Sequence, residues 1–189
     1  MKRIAVYCGA SKGKNPIYED YAVKLAKWIT DAQCELVYGG GKVGLMGIVA
    51  DTVLDHGGKV IGVMPQFLVD REIAHDQLSR LVVVNDMDER KKKMMDLSDC
   101  CMALPGGPGT LEEISEAISW ARLGENASPC IFLNVNGYYD LIGRFFDQMV
   151  DEGFLSSEDR KKVLISDSFD EIKTFIETYV PPHVRTYSK

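Results

Sequence analysis

Short apolar runs alternate with longer segments of helical period along the whole chain. Runs at 3–8, 35–38, 59–64, 80–84, 100–104 and 130–135, with a weaker one at 163–165, read as strands. Helical periodicity fills the gaps at 17–30, 45–56, 88–97, 110–123, 138–152 and 169–179. The stretch Val60-Ile61-Gly62-Val63-Met64 has no polar alternation, as expected of a strand covered on both faces. No repeat or linker interrupts the pattern. It predicts an α/β chain: a Rossmann-like, doubly wound, mostly parallel sheet with helices on both faces, in one domain spanning 1–189. The polar tail from Pro181 is expected to fray.

Composition narrows the possible partners. The chain is 46% hydrophobic, enough for a sizeable core, and its net charge of −6 argues against nucleic acid. The run Lys91-Lys92-Lys93 is too short to reverse that. An anionic ligand must therefore be met locally, by backbone amides and a few cations. Five cysteines without a CxxC pair read as buried thiols, and His56, His75 and His183 lack ligand spacing, so no metal site is expected. The first apolar run is too short for a signal peptide, and nothing approaches the ~18 apolar residues of a membrane span. The expected location is the cytoplasm, away from any membrane.

Chemistry should lie beyond the carboxyl ends of the strands. Three such ends are glycine-rich: Cys8-Gly9-Ala10-Ser11-Lys12-Gly13, then Gly39-Gly40-Gly41-Lys42-Val43-Gly44, then Pro105-Gly106-Gly107-Pro108-Gly109-Thr110. One such turn is a weak signal, but three at one edge suggest a groove where backbone approaches a ligand closely. The first turn lacks G-x-G-x-x-G and is one residue short of a Walker loop, which disfavours a dinucleotide or ATP. The third turn opens a helix, whose unpaired amides and positive dipole end suit a monophosphate.

Thr110 and Glu113 form T-x-x-E, which reads equally as a capping box or as a carboxylate set on a phosphate turn. Glu112, Glu116 and Ser119 follow at helical spacing, on a face that is either solvated or turned to the groove. On the preceding helix, Arg90 and Lys91 share a stripe with Met87 and Met94 and should turn inward. A buried Arg needs an anionic partner, either a structural carboxylate or a site that includes the ligand.

Met-x-x-Arg-Lys-x-x-Met at 87–94 followed by Pro-Gly-Gly-x-Gly-Thr-x-x-Glu at 105–113 resembles the LOG ("Lonely guy") family of cytokinin riboside 5′-monophosphate phosphoribohydrolases, often labelled lysine decarboxylases. The turn at 39–47, Met64-Pro65 with Arg71-Glu72-Ile73, and Asn134 to Tyr139 share the likeness, which covers roughly residues 3–180. It implies Arg90 and Glu113 as catalytic residues. It also implies a substrate site of Glu72, Arg90, Lys91, Gly106, Gly107, Pro108, Gly109, Thr110, Leu111, Glu112 and Ser119. No cofactor or metal is implied, and no residue set recommends a pyridoxal phosphate lysine.

The expected substrate is a nucleoside 5′-monophosphate, AMP or N6-substituted AMP, split into free base and ribose 5-phosphate. Two alternatives share the motifs: a broader purine monophosphate nucleosidase, and a non-catalytic nucleotide or cofactor carrier. The resemblance further implies a homodimer. The apolar face Ile114, Ala117, Ile118 and Ala121, with Trp120 beside it, is expected to lie partly against a second subunit.

Overall fold

The computed structural model describes residues 2–71 and 74–184. Seven strands form one all-parallel sheet: β1 Arg3–Tyr7, β2 Glu35–Tyr38, β3 Val60–Pro65, β4 Arg80–Val84, β5 Cys100–Ala103, β6 Cys130–Leu133 and β7 Val163–Ser166. Their order is β4-β3-β2-β1-β5-β6-β7. The chain winds outward from β1 in one direction, then returns to add β5 on the other side. The β1/β5 boundary is thus the switch point, where a crevice opens beyond the strand ends.

Alternation along each strand builds two cores. Ile4, Val6, Leu36, Tyr38 and Met102 face one side, under α1 (Ile17–Asp31), α2 (Gly44–Asp55) and α8 (Phe169–Thr178). Ala5, Tyr7, Val37, Cys101 and Phe132 face the other, under α4 (Met87–Asp96), α5 (Pro108–Leu123) and α6 (Asp140–Asp151). The period of 2 sends neighbours to opposite faces, so both faces must be apolar. Two single-turn helices, α3 (Gln66–Val69) and α7 (Ser157–Arg160), were not legible in the periodicity. They are too short to display it.

Three expectations need correction. The strand expected at 130–135 stops at Leu133. Residues 135–137 turn into a 3₁₀ segment in which Asn136 (φ 53°) and Gly137 (φ 70°) are left-handed, a conformation that ends sheet pairing. The helix expected from Thr110 starts at Pro108, with Gly107 as its N-cap and proline preset for the first position. Finally, Ile114, Ala117, Ile118 and Ala121 are buried within the chain's own core, so that face is not open to a second subunit.

Pro182 is buried, and residues 185–189 lie outside the described part. No helix among the described residues is long and apolar enough to cross a membrane.

Candidate active site

All three glycine turns gather at the carboxyl edge around the β1/β5 switch point. The first is pinned to its neighbours: Gly9 donates its amide to Pro105 O (3.3 Å), and Leu45 donates to Gly9 O (3.1 Å). Glycine is required at 106, because a Cβ there would overlap Thr110 Oγ1 and approach the Gly9 amide to 2.9 Å. At 107 and 109 a Cβ would meet nothing within 4 Å, so these residues border open space.

Gly107 borders a cavity of about 210 Å³ between residues 11–13 and 105–107, walled by Tyr18 and Tyr138. Tyr138 steadies the turn by donating its hydroxyl to Gly106 O (2.7 Å), and Tyr139 donates to Leu104 O (2.7 Å). Helix α5 starts beside this cavity with no side-chain cap and no acidic residue in its first turn. Its leading amides are left to solvent or a ligand, an arrangement suited to an anion.

The T-x-x-E capping box does not form, because α5 starts two residues before Thr110. Glu113 is then one turn too deep to reach the cap. A cap of the D-x-x-E kind stands at the head of α4 instead, where Asp86 accepts from the Glu89 amide (2.8 Å) and Glu89 accepts from the Asn85 amide (2.8 Å). Glu113 turns inward and accepts from Arg90 Nη1 at 2.5 Å; each residue is only 8% exposed.

The same guanidinium donates from Nε to Val63 O (3.2 Å) and lies against Gly39, where any Cβ would collide with it. This explains the first glycine of the second turn: it makes room for Arg90. Burial pushes the Glu113 carboxyl above the usual range, and the Arg90 charge acts against that shift. The Cys8 thiol beside the pair is likewise raised by burial, which disfavours a nucleophilic role for it.

Lys91 also turns inward, as the stripe suggested, while Met87 at the exposed start of α4 does not follow Met94 into the core. Its ammonium meets Glu112 (2.5 Å), Glu116 (3.0 Å) and, more distantly, Asp88 (3.4 Å). The hydrogen bond to Glu112 holds the lysine above its ordinary pKa. Glu112 and Glu116 therefore both reach toward α4, Glu116 largely covered and Glu112 still half exposed. Leu111 is exposed beside them, whereas Thr110 is buried under the turn. Ser119 is exposed, about 16 Å along α5 from Pro108 at the usual helical rise, so only an extended ligand could meet both. Glu72 lies outside the described residues.

Sequence reasoning missed Gly39 as the seat of Arg90, the Val63 carbonyl and the two tyrosine struts. The run of glycines after β2 and the Asn134-to-Tyr139 motif were the available signals.

A doubly wound sheet with an uncapped helix N-terminus at its switch point, backed by a buried Arg–Glu pair, defines an α/β protein equipped for a phosphorylated ligand. Residues 46–176 match the family model described as "Possible lysine decarboxylase". The chain belongs to that family, in the LOG branch its motifs resemble. It is 45% identical over its whole length to a probable cytokinin riboside 5′-monophosphate phosphoribohydrolase, LOGL3, of Oryza sativa, covering 89% of that protein. It is 43% identical to LOG5 of Arabidopsis thaliana, a cytokinin riboside 5′-monophosphate phosphoribohydrolase, over 96% of this chain and 79% of that one. The molybdenum cofactor carrier protein of Chlamydomonas reinhardtii shares the fold, with a TM-score of 0.70 at 20% identity over 94% of this chain and 99% of that one.

Proposed function

We propose that the protein hydrolyses the N-glycosidic bond of N6-substituted adenosine 5′-monophosphates. Water adds across C1′–N9: the C1′–N9 bond breaks, a C1′–OH bond forms, and the departing base takes up a proton. The products are free base and ribose 5-phosphate. The observation that carries the reading is the buried Arg90–Glu113 pair set behind an uncapped helix N-terminus.

Positive charge develops on the ribose as the bond breaks, as in glycoside hydrolysis generally. Glu113 supplies the compensating negative charge, or the base that activates water. Arg90 favours the ionised form of that carboxyl, against the effect of its burial. The amides of Gly109 and Thr110, with the glycines before them, hold the phosphate, and this remote binding aligns the sugar. Leu111, Pro108, Glu112 and Lys91 line the approach, with Glu72 and Ser119 assigned to the substrate by resemblance.

The decarboxylase label is disfavoured by Lys91. A Schiff-base lysine needs its pKa lowered, whereas the carboxylates around Lys91 raise it.

A homodimer is part of the proposal. With the Ile114 face consumed by the core, the exposed apolar residues left for a dimer contact include Val43, Phe67, Val83, Met87 and Leu111. Light scattering should report twice the 21.1 kDa chain mass; a monomer at micromolar concentration would overturn it. Buried thiols at Cys8, Cys100, Cys101 and Cys130 favour a reducing compartment, which supports placement in the cytoplasm. The activity is tested by incubating the protein with N6-isopentenyl-AMP and measuring released base; no release at any enzyme concentration would defeat the proposal.

A further inference from the structure

The two cations of the Arg90–Glu113 and Lys91–Glu112 pairs are already committed. Arg90 is matched by Glu113, and Lys91 is outnumbered by Glu112, Glu116 and Asp88. A dianionic phosphate at the head of α5 would gain little net positive charge from either. Among the described residues that line the adjoining cavity, the one cation is Lys12.

Lys12 is held only loosely. Its ammonium pairs with Glu19 at 2.9 Å, but the two side chains are 55% and 39% exposed. Surface pairs of this kind are weak because water screens them, so a stronger anion readily displaces the carboxylate. Glu19 loses little by the exchange, because it sits in the first turn of α1, where the helix dipole favours a negative charge.

The backbone that carries Lys12 is well anchored. Leu45 and Pro105 clamp Gly9 on one side. On the other, Gly13 is left-handed (φ 76°) with Tyr18 packed where a Cβ would be, 2.8 Å from the ring. A fixed loop with an exposed, weakly paired side chain is the geometry of an exchangeable phosphate ligand.

We propose that Lys12 exchanges Glu19 for the 5′-phosphate of the substrate and so sets the preference for nucleotide over nucleoside. This rests on the phosphate site assigned above, and it adds a residue from the first glycine turn to it.

The test is titration calorimetry with AMP and with adenosine, on wild type, Lys12→Gln, Glu19→Gln and Lys173→Gln. Lys173 lies on α8, and its variant removes the same charge away from the glycine turns. Lys12→Gln should weaken AMP about tenfold, as loss of one exposed charge-assisted contact does. Glu19→Gln should tighten AMP severalfold by freeing Lys12. Adenosine affinity should not change in any variant, nor AMP affinity in Lys173→Gln. Unchanged AMP affinity in Lys12→Gln would overturn the proposal, as would an equal loss in Lys173→Gln, which would show a net-charge effect. Because binding is read directly, a wild type that binds AMP yet releases no base from any monophosphate would sink the hydrolase reading alone. A wild type with no affinity for AMP would sink both.

Discussion

Arg90 and Lys91 are consecutive on α4 and reach consecutive carboxylates on α5, yet the two pairs sit in different media. Arg90 and Glu113 are both sealed from water, whereas Lys91 meets a Glu112 whose side chain is 53% exposed. In the inner pair, desolvation is the largest influence on the carboxyl, and Arg90 only partly opposes it. In the outer cluster, hydrogen bonding to carboxylates outweighs desolvation and holds the lysine charged. One helix contact thus yields a desolvated carboxylate on the inside and an electrostatic clasp at the rim. Depth in the crevice makes the difference.

Removing Arg90 should have the largest effect. Arg90→Ala leaves Glu113 buried without a counter-charge and should cost about 3–5 kcal/mol of stability by denaturant unfolding, along with nearly all turnover. A loss below 1 kcal/mol would mean that water already reaches the pair.

Glu113→Gln comes next. With the cap assigned elsewhere, the variant should stay folded and keep AMP affinity while kcat falls about 100-fold or more, equal to ~2.7 kcal/mol of transition-state stabilisation. Near-normal turnover would reduce the inner pair to a structural salt bridge. The double variant should be little slower than the worse single one, because residues acting as a unit do not add.

The pH response separates the two regions further. The Glu113 carboxyl is raised, so the acid limb of kcat/KM should lie above the ordinary carboxylate range and vanish in Glu113→Gln. Stability runs the opposite way. A raised carboxyl pKa means that the native state binds the proton more tightly than the unfolded chain. This group therefore stabilises the fold below the unfolded carboxyl pKa, and that contribution is lost as pH rises through the folded one. An acid limb at the ordinary carboxylate position would contradict the burial argument.

The smallest effect belongs to the rim. Glu112→Gln leaves Lys91 its contacts with Glu116 and Asp88 and should cost at most about 1 kcal/mol of stability. A cost near that of Arg90→Ala would erase the distinction between the pairs.

Much of this architecture was legible along the chain because it depends on short-range periodicity. Seven strands and six helices follow from which residues alternate and which recur at helical spacing. The inward turn of Arg90 and Lys91 followed from the same rule, since a stripe ending in Met94 carries its neighbours into the core. The resemblance in the two joined motifs drew on residues close together in sequence. The dimer face was misjudged for a related reason: an apolar helix stripe shows that something covers it, but not whether the cover is the chain's own sheet or another chain.

The identity of Glu113's partner was decided only by tertiary structure. T-x-x-E satisfies a capping box if the helix starts after Thr110, and periodicity leaves such boundaries loose by a few residues. Pro108 at the first helical position moves the start forward and turns Glu113 toward the core. There Arg90 arrives from another helix, through a space that Gly39 keeps open from a third element. Local sequence determines which residues form helices and strands and which faces are apolar. Which buried charges meet, and how dry the place is where they meet, depends on elements brought together across the switch point of the sheet.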